Sequence, residues 1–247
     1  MTYRMFLKEI TSDSEYLSES DIAYARYHGR RLYTTFKACI RHLKKGDKVL
    51  SVGAGIASVE KMLISWGAEV TVIDFESTIE TFRKYYNHLG IKSCSGNLFT
   101  DHLNLQKGYF NLLLFSEVVE HIPMDPSIQI QNIQPYLASK GIVIVTTPNL
   151  GSILHIGKLL FMKPIMEVPE KTFGKVDAEN QATHRREYLP SEIKRSYLRA
   201  GFRPVCTKYF FYTDKMSFSL IFSFLFGAVI PRFRPGMLLV GENNKQV

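Results

Sequence analysis

Four polar residues have types and spacings that suit acid–base or metal chemistry. Glu117, Glu120 and His121 stand at i, i+3 and i+4, a spacing that predicts one shared helical face. Two carboxylates and an imidazole suit a divalent cation such as Mg²⁺, and His184 offers a fourth ligand further along the chain. Catalytic roles for Glu117, His121 and His184 without a metal, as acid–base groups, are a second interpretation. A purely structural role is the third.

A basic and aromatic segment surrounds the second histidine. It reads His184-Arg185-Arg186-Glu187-Tyr188 and directly precedes a predicted helix. A loop at this point can fold over a binding site, where Arg185 and Arg186 would grip an anionic group with their guanidinium forks. We therefore expect Arg185, Arg186 and Tyr188 to contact a substrate. Asn149, which follows another predicted strand, is a fourth expected contact. A solvated basic loop is the alternative for the two arginines.

Strands and helices alternate through the middle of the chain. Short apolar strands are predicted at 48–52, 69–73, 91–94, 110–115 and 141–147. Helical periodicity predicts helices at 58–66, 78–89 and 129–137. Strands that are apolar along their whole length are typical of a parallel sheet covered by helices on both faces. The alternation therefore predicts a doubly wound α/β fold.

The two ends of the chain add further elements. Helices are predicted over 14–45 and 190–200, and a sixth and a seventh strand at 205–212 and 237–241. Between these strands, residues 217–230 carry no charge but are too few for the roughly 20 residues that span a bilayer. They predict a helical insertion that is buried core, a substrate lid or a membrane-interface helix. Aromatic residues near both ends predict core packing or an apolar pocket, and they are Tyr24, Tyr27, Tyr33, Phe210, Phe211, Tyr212, Phe218 and Phe222.

Composition and charge limit the class of protein. With 45% hydrophobic residues, the 247-residue chain can form one large α/β domain. Its cysteines, Cys39, Cys94 and Cys206, have neither metal spacing nor a disulfide framework, and no signal-peptide run is seen, so we expect a reduced, cytoplasmic protein. Of the formal charge of +8, residues 1–150 carry +1 and residues 151–247 carry +7. This excess predicts an anionic partner or serves solubility alone.

A glycine turn follows the first predicted strand. It reads Ser51-Val52-Gly53-Ala54-Gly55, and glycines at this point let the backbone approach a ligand closely. Asp74 ends the second strand, 19 residues after Gly55, where a carboxylate can accept hydrogen bonds from ribose hydroxyls. Together they predict an adenosine-containing ligand. A nicotinamide dinucleotide is disfavoured, because its fingerprint has a third glycine where Ser58 stands.

These motifs resemble those of class I S-adenosylmethionine-dependent methyltransferases, closely over residues 45–150 and more loosely over 180–245. Residues 49–55 (VLSVGAG) look like the family's first motif, residues 115–122 (FSEVVEHI) like its signature after the fourth strand, and residues 147–149 (TPN) like the end of the fifth. Ser51 replaces the usual acidic residue of the first motif, and Ala57 replaces its third glycine. The resemblance implies S-adenosylmethionine as cofactor. It places Gly53, Ala54 and Gly55 beside the methionine part, with Ser51 in the same motif, and Ser116 near the methionine end. It also places Asp74 and Phe75 at the ribose, and Asn97 and Leu98 on either side of the adenine.

The resemblance also implies an architecture. We expect a mainly parallel, doubly wound sheet of seven strands, with a helical insertion between the sixth and the seventh. The expected single domain divides into a helical cap at 1–45, a cofactor-binding core at 46–150 and a substrate-side segment at 151–247.

Two narrower resemblances concern the acceptor. The ExxEH pattern with a later histidine resembles ubiquinone-pathway O-methyltransferases and small-RNA 3′-terminal 2′-O-methyltransferases, and the segment around His184 resembles bacterial sugar and natural-product methyltransferases. The RNA group's adjacent second histidine is absent, because Ile122 follows His121. We therefore expect a biosynthetic O-methyltransferase that acts on a hydroxyl of a small molecule, glycan or natural product.

Several alternatives stay open beside this expectation. They are RNA 2′-O-methylation, N-methylation of a sugar amine, nicotinamide-dependent oxidation and a non-catalytic binding module in which Ser51 and Ala57 have weakened the cofactor site. Peripheral membrane contact through residues 217–230 is also open.

Overall fold

The computed structural model of the chain describes residues 1–96, 105–172, 183–213 and 218–244. In these ranges the strands are β1 (Lys48–Val52), β2 (Glu69–Asp74), β3 (Lys92–Ser95), β4 (Phe110–Ser116), β5 (Leu137–Pro148), β6 (Phe202–Phe210) and β7 (Gly236–Asn243). The α-helices are α1 (Tyr3–Ile10), α2 (Glu19–Tyr27), α3 (Gly29–Cys39), α4 (Ser58–Trp66), α5 (Glu76–Leu89), α6 (Pro126–Ile133), α7 (Ile153–Leu160), α8 (Pro169–Thr172), α9 (Pro190–Arg199) and α10 (Phe218–Val229).

The described strands form one sheet in the order β3-β2-β1-β4-β5-β7-β6. Strands β1 to β5 pair in parallel, whereas β7 lies antiparallel between β5 and β6. The predicted doubly wound, mainly parallel sheet of seven strands is confirmed, and α10 is the predicted insertion before the last strand. β1 has β2 on one side and β4 on the other, and open α/β sheets bind ligands at such a switch in strand order.

The central strands are buried on both faces, as their apolar sequences predict. Leu112 and Leu114 of β4 face a core shared with α1, α3 and α4, whereas Leu113 and Phe115 face a second core shared with α6 and α9. All four side chains are fully buried. Because burying a side chain of this size contributes ~1.5–3 kcal/mol, the two cores fix the sheet and the edge at which its parallel strands end.

The last strands bring additional helices to this carboxyl edge. β5 ends at Pro148, which pairs with Gly236 at the start of β7, and Gly236 also pairs with Phe210 at the end of β6. Helices α7 and α10 follow β5 and β6 and contact each other, so both leave the sheet at the edge where β1 and β4 end.

Within the parts of the chain that the structure describes, no helix is both long enough and apolar enough to cross a bilayer.

Two predicted helices differ from the structure. The segment 14–45 is divided into α2 and α3, because the chain turns at His28 and Gly29 lets α3 approach α1 closely: a Cβ on Gly29 would lie 2.8 Å from the Tyr3 hydroxyl. The helix predicted at 129–137 begins earlier, at Pro126, and ends at Ile133, where Gln134-Pro135-Tyr136 forms a 3-10 turn. α1 and α7 lie outside the predicted helices, whereas β1 and α4 have the predicted bounds.

Candidate functional site

The turn after β1 has a backbone conformation that favours glycine. Gly53 and Gly55 have φ of +66° and +52°, in the left-handed region. A Cβ on Gly53 would lie 2.8 Å from a methyl group of Val118, whereas nothing lies within 4 Å of a Cβ built on Gly55. Gly53, Ala54 and Gly55 line a cavity of about 1150 Å³. The turn therefore offers bare backbone to a ligand.

The carboxylate of Asp74, at the end of the neighbouring strand β2, is hydrogen-bonded to the glycine turn. One oxygen accepts a hydrogen bond from the Gly55 N–H (3.1 Å) and the other accepts one from the Phe75 N–H (2.8 Å). Each oxygen has further acceptor capacity, which fits two ribose hydroxyls, and burial raises the pKa of Asp74. The cavity reaches Gly55 but stops short of Asp74 and Phe75. Asn97 and Leu98, expected to flank adenine, lie outside the described residues.

A buried carboxylate lies beside the position where the first motif lacks one. Ser51 is buried in β1, and its hydroxyl donates a hydrogen bond to Glu60 (2.6 Å) in the first turn of α4. Glu60 is 3% exposed and lines the cavity, and burial raises its pKa. The Ser51 hydroxyl is thus used inside the protein, and Glu60, which the sequence did not single out, presents a carboxylate to the cavity.

Ser116, at the end of β4, links the glycine turn to the N-terminal helices. It lines the cavity, and its hydroxyl accepts a hydrogen bond from Arg31 (3.2 Å) and lies 3.2 Å from that of Thr146. Arg31 is 3% exposed, and its other terminal nitrogen donates to the Tyr24 hydroxyl (2.8 Å). A buried cation of the cap therefore reaches the predicted methionine end of the cofactor site.

The residues after β4 form a turn. Glu117 has φ of +59°, a strained conformation for a residue with a Cβ, and the next helix begins only at Pro126. Strain of this kind costs ~1–3 kcal/mol and concentrates at functional sites. The prediction that Glu117, Glu120 and His121 share a helical face is therefore wrong. Pro123 and Pro126 account for the difference, because proline is not tolerated inside a regular helix.

The turn nevertheless brings three of the four predicted metal ligands together. Among the described residues, Glu120, His121 and His184 each offer a ligand atom, and these atoms lie within 4.8 Å of one another. The backbone N–H groups of Arg185 and Arg186 donate to the Glu120 carbonyl oxygen (2.7 and 3.2 Å), which docks the second loop on the turn. The centroids of the two imidazole rings consequently lie 4.9 Å apart.

Both imidazoles are oriented through Nδ1. His121 Nδ1 lies 3.0 Å from the Thr183 carbonyl oxygen, and His184 Nδ1 lies 3.3 Å from Glu187 Oε1. Because these oxygens only accept, each Nδ1 carries the proton, and in the neutral ring Nε2 keeps its lone pair. Histidines that bind metals are commonly fixed in this way.

The protonation states within the group differ. Burial, and then His184, lower the pKa of His121 to about 4, so His121 is neutral near pH 7 and a weak base. The hydrogen bond to Glu187 raises the pKa of His184, which makes it the better base of the two. Burial, and then the charge of Glu117, raise the pKa of Glu120 well above its usual range.

Glu120 has an open acceptor position. It is fully buried, its Oε2 accepts a hydrogen bond from Thr147 (2.9 Å), and its Oε1 has no hydrogen-bond partner among the described residues. The same Oε1 lies 3.9 Å from His121 Nε2. A buried carboxylate is costly unless a cation compensates it. The donor set of one carboxylate and two imidazoles therefore fits a divalent cation.

Glu117, the fourth predicted metal ligand, belongs to a different polar group. Its Oε2 accepts a hydrogen bond from Tyr212 (2.8 Å), and its Oε1 is buried without a partner in the described part of the chain. Burial alone would lower the pKa of Arg31, but the charge of Glu117 and other neighbours raises it. Burial, and then Arg31, lower the pKa of His28 to about 4. Glu117, Arg31, His28 and Tyr212 all line the cavity.

Asn149 and Tyr188, two expected substrate contacts, are buried and bond to other parts of the protein. The amide of Asn149 donates to the carbonyl oxygens of Arg232 and Arg234 (both 2.8 Å), and the residue is fully buried. Tyr188 is 4% exposed and forms an isolated β-bridge with Asn149. Neither residue lines the cavity.

The two expected arginines also have partners within the protein. Arg185 is 5% exposed and donates to the Thr172 carbonyl oxygen (2.9 Å). Arg186 forms an ion pair with Glu192. Both lie outside the cavity lining, to which Lys158 of α7 contributes a cation.

The cavity contains residues that the sequence did not single out for chemistry. They are His28, Arg31, Glu60, His155, Lys158 and Glu187. Glu187 stands three residues after His184 in the same loop and contacts that imidazole, but a three-residue spacing indicates such a contact only within a helix. Of the aromatic residues near the chain ends, Tyr24, Tyr27, Phe211 and Tyr212 line the cavity, whereas Phe210 belongs to the core.

Solved structures that resemble this fold include methyltransferases. The S-adenosylmethionine-dependent methyltransferase of Mesorhizobium loti is 16% identical, covers 88% of this chain and 100% of its own, and has a TM-score of 0.58. That of Archaeoglobus fulgidus is 15% identical, with 98% and 100% covered and a TM-score of 0.58. Geranyl diphosphate C-methyltransferase of Streptomyces coelicolor is 12% identical, with 85% and 79% covered and a TM-score of 0.56. These likenesses establish the fold.

The sequence adds the family. No curated protein matches the chain by sequence. The family described as "Methyltransferase domain" matches residues 24–207, which include the glycine turn, Asp74 and the turn after β4. Since this match covers most of the chain, the protein belongs to that family and is a class I S-adenosylmethionine-dependent methyltransferase.

Proposed function

We propose that this methyltransferase acts on a hydroxyl group of a small molecule, sugar, glycan end or natural product, assisted by a divalent cation. The observation that carries the proposal is the group of Glu120, His121 and His184. Their ligand atoms lie within 4.8 Å of one another, and both imidazoles have Nδ1 tied to an acceptor. One nitrogen of each imidazole and one oxygen of the buried carboxylate are therefore available to a single cation.

A bound cation would be useful if the methyl acceptor is a hydroxyl group, because a hydroxyl must be activated before it can attack. S-adenosylmethionine supplies an activated methyl group, so the protein has to align the acceptor oxygen and make it nucleophilic. The pKa of an alcohol is far above 7, and coordination to a divalent cation lowers it. Two imidazoles and a carboxylate suit Mn²⁺, Fe²⁺, Co²⁺ or Zn²⁺ better than Mg²⁺, which prefers oxygen ligands.

On the cofactor side, two carboxylates bind S-adenosylmethionine in this proposal. Asp74 accepts hydrogen bonds from the ribose, since it already braces the Gly55 turn at the end of β2. Glu60 accepts from the ammonium group of the methionine part, since it is buried and lines the cavity beside that turn. In this assignment Glu60 supplies the negative charge that Ser51 lacks.

On the acceptor side, aromatic walls surround a few polar groups. Tyr24, Tyr27 and Phe211 line the cavity, which is typical of sites for small organic molecules. Arg31 and Lys158 supply positive charge for a carboxylate or phosphate on the acceptor. RNA has less support, because Arg185 and Arg186 bond within the protein, although the charge of residues 151–247 favours it.

Cofactor binding is tested first, by calorimetric titration with S-adenosylhomocysteine. We expect binding to the wild-type protein. A folded protein that does not bind would leave a non-catalytic module as the better description.

Methyl transfer is then measured with labelled S-adenosylmethionine and panels of sugars, phenols, amines and short RNAs. We expect a hydroxyl acceptor, loss of transfer in excess chelator and recovery with Mn²⁺ or Zn²⁺. Full transfer in chelator would exclude the metal and leave His184 as the base. Transfer to amines or RNA alone would overturn the proposed acceptor class.

A further inference from the structure

Helices α7 and α10 expose a large amount of apolar side chain. Leu160, Phe161 and Met162 are 77%, 78% and 93% exposed at the end of α7, and Leu225 and Val229 of α10 are 65% and 81% exposed. The two helices contact each other, and none of the α7 residues is buried. We call these five residues, with Leu159 and Phe226, the α7–α10 surface. Apolar clusters of this kind mark an interaction site on a folded protein.

The segments that carry this surface are basic. Residues 151–166 and 218–241 contain four Lys or Arg residues and no Asp or Glu, and the first acidic residue after α7 is Glu167, which pairs with Lys171. Arg234 donates inward to the carbonyl oxygens of Gly227 and Tyr209, whereas Lys158, Lys163 and Arg232 are exposed. Exposed apolar side chains flanked by cations are typical of segments that lie in the interface of an anionic bilayer. The cations favour an anionic bilayer over a protein partner, because an apolar protein interface does not require an excess of positive charge around it.

The surface also adjoins the site. Leu154 and Lys158 of α7 and Phe224 of α10 line the cavity, so the helices that expose the apolar residues also form part of the cavity wall. Contact with a bilayer through their outer side would place the cavity close to the lipid headgroups.

We propose that the α7–α10 surface docks the protein on an anionic phospholipid bilayer. Leu160, Phe161 and Met162 enter the boundary between headgroups and acyl chains, and Lys163 and Arg232 lie among the anionic headgroups. Attachment through this surface does not depend on the identity of the acceptor.

Vesicle flotation of the full chain tests the proposal. We expect the wild-type protein to float with vesicles of phosphatidylcholine and phosphatidylglycerol, and much less with phosphatidylcholine alone. The double variant Leu160→Gln/Phe161→Gln should bind at least ~10-fold more weakly, because two apolar side chains no longer enter the interface. Leu198→Gln is the matched control, since Leu198 is 64% exposed on α9 and should leave binding unchanged.

A second variant separates charge from apolar contact. Lys163→Gln/Arg232→Gln should weaken binding to the anionic vesicles by about 30-fold, because each of the two cations near such a surface contributes about 1 kcal/mol. Titration with S-adenosylhomocysteine and the thermal midpoint verify that every variant is folded. The proposal is overturned if the wild-type protein stays with the unbound fraction, or if Leu160→Gln/Phe161→Gln floats as the wild type does. A dimer that this double variant dissociates, without vesicle binding, would likewise overturn it in favour of a second copy.

Discussion

The cofactor end and the acceptor end of the cavity are built in different ways. At the cofactor end, the hydrogen bonds from Gly55 to Asp74 and from Ser51 to Glu60 join residues 19 and 9 positions apart. At the acceptor end, the contact between His121 and Thr183 spans 62 positions and that from Tyr212 to Glu117 spans 95. One end is determined by a single strand–turn–helix unit and its neighbour, and the other by the packing of distant segments.

The two ends also differ in how completely their polar groups are satisfied. At the cofactor end, both oxygens of Asp74 accept hydrogen bonds from the backbone, and Ser58 Oγ is buried without a partner among the described residues. At the acceptor end, buried atoms of His28, Arg31, Glu117 and Glu120 have no hydrogen-bond partner among the described residues. Because an unsatisfied buried polar atom costs ~1–3 kcal/mol, the acceptor end is less stable by itself and gains more from a ligand.

The largest effect is expected on metal affinity at the acceptor end, where Glu187 orients the imidazole of His184. Glu187→Gln removes the charge that holds His184 Nδ1, so we expect metal affinity to fall by ~10–100-fold, with recovery at higher metal concentration. Calorimetric titration with Zn²⁺ or Mn²⁺ measures it without an acceptor. Glu192→Gln is the control, since Glu192 lies near the same loop and contacts Arg186 instead of a histidine. Equal metal affinity in Glu187→Gln and wild type would remove Glu187 from the metal site.

The next effect concerns the cofactor end. Asp74→Ala should weaken S-adenosylhomocysteine binding by ~10-fold or more, because hydrogen bonds to a charged carboxylate contribute roughly 1.5–3 kcal/mol. Glu69→Ala, at the exposed start of the same strand, is the control. Metal affinity should stay unchanged in both variants, since Asp74 bonds to the Gly55 turn and to Phe75 rather than to the histidine group. Unchanged cofactor affinity in Asp74→Ala would show that the ribose is held elsewhere.

Glu60→Gln should weaken S-adenosylhomocysteine binding by up to ~10-fold, because the cofactor's ammonium group loses a charged partner. The amide oxygen of the variant side chain can still accept the hydrogen bond from Ser51, so the thermal midpoint should not fall. Titration with 5′-methylthioadenosine, which lacks the amino-acid part, provides the control. Its affinity should be the same in wild type and variant, and equal losses for both ligands would mean that Glu60 only supports the turn.

The cofactor end was predictable because its signals are local. The apolar run of β1, the glycines at 53 and 55 and the carboxylate at 74 follow one another within one βαβ unit. Even so, Glu60 was missed, since a glutamate in the first turn of a helix is ordinary in sequence. Its burial against Ser51 becomes visible only when α4 is packed on β1.

The acceptor end was predicted in part. The histidines at 121 and 184 were expected to meet and they do, but the helix expected at 117–121 is a turn, although Pro123 and Pro126 indicated it. Nothing local distinguishes Arg31 from the other 30 Lys and Arg residues of the chain. It becomes a site residue because the fold brings Arg31 of α3 within hydrogen-bond distance of Ser116 at the end of β4, a contact that no short-range pattern encodes.

The smallest effect concerns the brace that attaches the N-terminal cap to the cofactor end. Asp13 accepts a hydrogen bond from Tyr85 (2.6 Å) and lies 2.9 Å from Lys61 Nζ. Burial alone would raise the pKa of Asp13, but the bonds from Lys61 and Tyr85 lower it below 3.8. The folded state therefore releases this proton more readily than the unfolded state. The resulting stabilisation is fully present above about pH 4 and is lost as pH falls through the folded pKa.

Asp13→Asn should consequently lower the free energy of unfolding by ~1–2 kcal/mol at pH 7 and by less at pH 3. Thermal unfolding of variant and wild type at both pH values measures the difference, and Glu15→Gln, at an exposed position nearby, is the control. Cofactor affinity should not change, because Asp13 contacts Lys61 of α4 and Tyr85 of α5 and does not line the cavity. A difference in unfolding midpoint that is as large at pH 3 as at pH 7 would mean that the charge of Asp13 contributes nothing to the attachment of the cap.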